Sequence, residues 1–97
     1  MNALVDERLV RKEILRILKV FYPDGVAANG IATSLIDAGY TISVPEVLQQ
    51  LAYLSDKGYV SVRELKSEHL GKRDVARLLP KGIDLLDENI EKDPGIL

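Results

Sequence analysis

The 97 residues contain one histidine, His69, and no cysteine, so the side chains that most often make and break bonds are almost missing. A nucleophile needs an adjacent base held in place by a third group, and a single imidazole without a thiol offers no such set. Neither the G-x-x-x-x-G-K loop that cradles phosphates nor the G-x-G-x-x-G turn of dinucleotide sites occurs. The sequence therefore predicts no catalysis, no cofactor and no metal centre. A lone imidazole in a polar stretch reads as surface rather than as a metal ligand. Asp84, Asp87, Glu88 and Glu91 read as a solvated acidic face, with a weak divalent-ion site as the alternative. What remains is chemistry of binding. Ser43, Glu46, Gln49, Gln50 and Tyr53 supply hydrogen-bonding groups in one stretch, and Lys66, His69, Lys72 and Arg73 supply cationic ones in another.

The elements that must carry these residues follow from hydrophobic spacing. Between Val5 and Tyr22, Val10, Ile14, Ile17, Leu18 and Phe21 recur at three- and four-residue intervals and predict an amphipathic helix. Leu15, Val20 and Tyr22 fall outside that face as an extra apolar strip. Pro23-Asp24-Gly25 ends the helix. A short extended segment, 26–28, leads to a second helix over 30–38 with Ile31, Leu35 and Ile36 inward, capped by Asn29 and closed by Gly39. Ser43-Val44-Pro45-Glu46 then matches the S-x-x-E capping box, with the proline in the first turn, where its missing N–H does no harm. The third helix runs to about Lys57, with Val47, Leu48, Leu51 and Leu54 inward and Gly58 as its stop. Beyond it the period changes to two: residues 59–65 and 75–79 predict a β-hairpin with a long polar tip over 66–74. Pro80 opens a last helix with Ile83, Leu86 and Ile90 inward, broken by Asp93-Pro94-Gly95.

Composition sets the bounds. An apolar content of 46% suffices for one hydrophobic core at this length, so residues 1–97 are expected to form a single domain. Without cysteine there is no disulfide framework, and the chain suits a reducing compartment. No basic segment precedes an apolar run at the start, and no run reaches the ~20 residues that cross a bilayer, so a soluble cytoplasmic protein is expected. The net charge of −2 provides no global attraction to a polyanion. That charge is unevenly spread: residues 1–42 carry 5 basic and 5 acidic side chains, 43–80 carry 6 and 5, and 81–97 carry 2 and 5. The middle of the chain is thus free to present a locally positive surface.

The order helix, extended segment, helix, capped helix, hairpin, helix resembles the winged helix-turn-helix superfamily over nearly the whole chain. Its most specific part is Val47-Leu48-Gln49-Gln50-Leu51-Ala52-Tyr53-Leu54-Ser55-Asp56-Lys57-Gly58-Tyr59-Val60, followed by Arg77-Leu78-Leu79-Pro80-Lys81-Gly82-Ile83. These segments are similar to the "L-x-x-L-x-x-x-G-[YLF]-[VI]" and "[RY]-x-L-T-x-x-G" patterns of MarR-, ArsR- and PadR-like regulators, with Pro80 where those families have threonine. Phe21-Tyr22-Pro23-Asp24-Gly25 and Asp93-Pro94-Gly95-Ile96 also look similar to small winged-helix proteins of Mu-like prophages.

The resemblance implies an α+β, mainly α, fold of a three-helix core, a β-hairpin wing and a carboxyl-terminal helix. It implies a DNA-binding transcription regulator whose third helix, about 43–57, enters the major groove. On that basis Ser43, Glu46, Gln49, Gln50 and Tyr53 face base edges or phosphates, the glutamines being suited to adenine. Lys66, His69, Lys72 and Arg73 on the wing would meet the phosphate backbone, with Arg11 and Lys12 as further phosphate contacts. A homodimer is expected, since one reading helix covers a half-site, with the strip on the first helix, Leu4, Leu85 and Ile96 as its interface. The alternative is a winged-helix module that docks on a protein without nucleic acid. No Arg or Lys lies between Ser43 and Asp56, and Glu46 and Asp56 repel phosphate, which favours that alternative.

Overall fold

Asp6 starts the first helix by accepting a hydrogen bond from the Arg8 N–H at 3.0 Å, which satisfies one of the amides that a helix start leaves without an internal partner. In the computed structural model, which describes residues 6–69 and 71–97, this helix is α1 (Glu7–Phe21), followed by β1 (Val26–Ala27), α2 (Ala28–Asp37), α3 (Val44–Asp56), β2 (Val60–Ser67), β3 (Gly71–Leu78) and α4 (Pro80–Leu86). The three strands form one antiparallel sheet in the order β1-β3-β2. Gly39 and Gly58 take positive φ at 101° and 81°, the left-handed backbone that closes a helix at little steric cost in glycine. After Gly58, the Tyr59 N–H donates to the Leu54 carbonyl at 3.0 Å and turns the chain into β2.

The core is where the three helices meet the inner side of the sheet. Val10, Ile14, Leu15 and Leu18 of α1, Ile31 and Leu35 of α2, Val47, Leu51 and Leu54 of α3, and Val60, Ala76 and Leu78 of the sheet are all buried there. Because α1 contacts α2, α3, α4 and β3 at once, its buried stripe is wider than one helix face. Leu15 is accordingly fully buried, not part of an outer strip. Phe21, expected inward, is 49% exposed because α1 runs past the core before the turn at Pro23.

Other local expectations shift for similar reasons. The second helix starts two residues early, at Ala28, with Ala27 at its cap and no side chain bonded there, so Asn29 lies inside its first turn. Ile36 is 54% exposed, because Ala28, Ile31, Ala32 and Leu35 fill the inward face of α2. The last helix ends at Leu86, where Glu88 takes a φ of 59°; Ile90 reaches the core from the segment beyond it. The hairpin strands extend to Ser67 and from Gly71, so Lys66, Lys72 and Arg73 lie on paired strands instead of a long tip.

The expected interface strip is also divided. Val20, 80% exposed, and Tyr22 remain outside at the end of α1, whereas Leu85 and Ile96 pack partly against the core. Leu97 bonds to the Arg8 carbonyl at the opposite end of α1, twelve residues or about 18 Å from Val20. Leu4 lies outside the described residues.

Candidate nucleic-acid interface

The entry to α3 is fixed by both halves of the capping box. The Ser43 hydroxyl oxygen accepts from the Glu46 N–H at 3.3 Å, and Glu46 Oε1 accepts from the Ser43 N–H at 3.1 Å and the Ser43 hydroxyl at 2.8 Å. Ser43 and Glu46 therefore stand at the exposed start of α3 with their side chains bonded to each other. Ser43→Ala is expected to lower stability by about 1 kcal/mol in denaturant unfolding; a midpoint equal to that of the parent protein would show the box to be energetically idle.

From Pro45 in the first turn onward, Pro45, Gln49, Ala52 and Asp56 recur on the exposed side of α3, opposite Val47, Leu51 and Leu54. Gln49 offers its carboxamide to solvent there. Gln50 does not. It is 8% exposed, and its Oε1 accepts from Arg11 Nε at 2.8 Å. The Arg11 guanidinium then lies 3.7 Å from the centre of the Tyr53 ring and donates to the Gly95 carbonyl at 3.1 Å. Gly95 sits so close to Tyr53 that a Cβ at that position would overlap the tyrosine hydroxyl. Gln50 and Tyr53, expected on the outward face, thus face α1 and the carboxyl-terminal tail. Helical spacing assigns a residue to a side but does not say which flank a later segment will cover.

Asp93 anchors that tail. Its carboxylate accepts from the Tyr59 hydroxyl at 2.7 Å and from the Gly95 N–H at 2.7 Å, with Lys57 Nζ at 4.0 Å. Burial, the largest single influence, pulls this carboxyl upward, but the two hydrogen bonds and the charges of Lys57 and Arg11 together outweigh it and hold it below the ordinary aspartate value. Burial first, and the bond to Asp93 second, push the Tyr59 hydroxyl up to about 12. Arg11 is committed to this cluster, and Lys12 borders a cleft with Leu85, Leu86 and Ile96.

The hairpin divides its charges by face. Lys66 pairs with Lys72 across the ladder, and Glu64 with Asp74, so these four alternate along the inner side beyond the core. Glu64 lies 2.9 Å from Lys72 Nζ and 3.8 Å from Lys66 Nζ; its hydrogen bond and charge raise the Lys72 pKa above the ordinary value. Arg73 projects from the other face. His69 is exposed in the turn, its N–H donating to the Ser67 hydroxyl oxygen at 3.3 Å.

No family model and no curated protein sequence matches the chain. Among solved structures, the crystal structure of Bacillus subtilis PadR in complex with operator DNA matches it with a TM-score of 0.64 and 17% identity, over 88% of this chain and 50% of that one. The fold is a winged helix. In its terms α2 and α3 are the helix-turn-helix and β2 and β3 are the wing, and the chain spans half the length of the PadR it matches.

Two wing residues escaped the sequence reading. The register pairs Ser61 with Arg77, Arg63 with Val75 and Leu65 with Arg73, so Arg63 and Arg77 share the face of Arg73, and all three are exposed. Strand alternation carried half of the signal, but the other half was the position of the turn, which sets the pairing. A tip drawn from 66 to 74 hid it.

Proposed function

We propose that this chain is a winged-helix domain that binds duplex DNA in the manner of a transcription regulator, with α3 in the major groove and the wing on the flanking backbone. The carrying observation is the exposed amino-terminal half of α3, with Gln49 facing solvent, beside a hairpin that extends well past the core. The matching PadR structure, solved with operator DNA, supports the same reading. Ser43, Glu46 and Gln49 are the groove-facing candidates, with Gln50 and Tyr53 holding the helix from its flank. Lys66, His69, Lys72 and Arg73 are the wing contacts. The chain acts as one domain, without catalysis, in the cytoplasm, and pairs as a homodimer so that two reading helices cover a full site. No helix among the described residues is long and apolar enough to cross a membrane.

A second reading, docking on a protein, is favoured by one feature: the outward side of α3, Pro45, Gln49, Ala52 and Asp56, carries no cation. Titration of random and selected duplexes at two salt concentrations separates the two. The DNA reading expects salt-dependent binding to both, and Gln49→Ala is expected to erase about 1–3 kcal/mol of base preference at one position of the selected site. A chain that ignores both duplexes at low salt belongs to the second reading.

A further inference from the structure

We infer that the outer face of the sheet is a second phosphate-backbone surface, separate from α3, and that most of the electrostatic grip on DNA resides there; this rests on the DNA reading above. A domain with a net charge of −2 needs a local concentration of unpaired cations to hold a polyanion. The exposed side of α3 has none. On the inner side of the wing Lys66 and Lys72 share Glu64, with Asp74 beside it, so two positive charges meet two negative ones.

The outer face differs in kind. Its ladder positions are Ser61, Arg63, Leu65 and Ser67 on β2 and Gly71, Arg73, Val75 and Arg77 on β3. They include three arginines and no acid. Arg77 makes one long hydrogen bond to the Ser61 hydroxyl oxygen, 3.4 Å, and Asp24 is the acid on the rim of the groove that Arg63 and Arg77 line with Pro23 and Gly25. From Arg73 to Arg77 the strand covers about 13 Å, the axial length of about four nucleotides of one strand. Guanidinium groups grip phosphate oxygens with two parallel N–H donors, which suits a row of this length.

This face points away from the helices, whose apolar sides cover Val60, Ala76 and Leu78 on the inner face. Beyond the flanking phosphates that Arg73 reaches with the wing, Arg63 and Arg77 therefore meet phosphates farther along the duplex, reached when DNA follows the wing. Base choice at α3 and backbone grip at the sheet are then separable properties.

The test measures binding of the full chain to a duplex across a salt series. Changing Arg63 and Arg77 together to Gln, with the wing contact Arg73 kept, is expected to reduce the slope of log K against log salt by about 1.8, from two lost phosphate contacts. Lysine at the same two positions is expected to keep the slope, which guards against a misfolded variant, and Gln49→Ala is expected to leave it unchanged. Hydroxyl-radical footprints of the Gln variant should lose protection at the ends of the site and retain it at the centre. An unchanged slope in the Gln variant, with binding retained, overturns this inference and leaves the DNA reading standing. Absence of binding by the parent chain at low salt overturns both.

Discussion

A Leu54→Ala protein is expected to lose about 2–5 kcal/mol of stability, a large share of the roughly 5–15 kcal/mol that holds a small domain together. Leu54 is fully buried at the carboxyl end of α3. Its side chain belongs to the stripe that seats the helix on the core, and its carbonyl accepts the Tyr59 N–H that turns the chain into the wing. Alanine leaves a cavity that the surrounding backbone closes only in part, since α3 is held at its start by the capping box and at its end by this turn. The measurement is chemical unfolding followed by circular dichroism. A loss below about 1 kcal/mol would mean that the site collapses freely, contrary to a close-packed seat for α3. On the DNA reading proposed above, affinity should fall only as far as the folded population does, because Leu54 is buried in the core.

The second large effect concerns Asp93. Replacing it with alanine strands the Tyr59 hydroxyl, which is buried and bonded to that carboxylate, and an unsatisfied buried donor costs about 1–3 kcal/mol. The tail then loses its anchor, and Arg11, Gln50 and Tyr53 lose the Gly95 lid. The pH dependence follows from the two pKa directions. Asp93 has a folded pKa below its unfolded value, so its contribution is present above the unfolded value and disappears as pH falls through the folded one. Tyr59 has a folded pKa raised from 10.0 to about 12, so its contribution is complete below 10.0 and disappears as pH rises toward about 12. Unfolding free energy measured from acid to alkaline pH should therefore show both edges in the parent chain. In Asp93→Ala the acidic edge from this residue vanishes and the alkaline edge weakens. Identical pH profiles in the two proteins would show that the buried pair contributes nothing to the fold.

What the sequence revealed and concealed follows a physical line. Signals confined to a few adjacent residues were legible: the capping box at Ser43 and Glu46, the stops at Gly39 and Gly58, the proline start at Pro80, and the change of period after Gly58. Each depends on backbone sterics or a bond spanning three or four residues. The seat of α1 was less legible, because the burial of Leu15 and the exposure of Phe21 depend on how many neighbours a helix gathers and where the core ends. Gln50 and Tyr53 were misplaced for a related reason. Their flank is closed by residues 93–95, some 40 positions away, and no local pattern announces such a partner. On the wing, the basic residues were visible but their sidedness was not, since that depends on pairing across the turn.

The same ladder constrains how the protein tolerates change in length. Adjacent strand residues face opposite ways, so one extra residue within β2 or β3 reverses every side chain between that point and the turn. An insertion near Val60 or Leu78 would drive guanidinium groups into the hydrocarbon interior and turn valine and alanine out to water. Two extra residues preserve the sides. Lengthening at the turn itself leaves the paired rungs below it untouched, so natural or engineered extension of this hairpin is confined to its apex or to even steps.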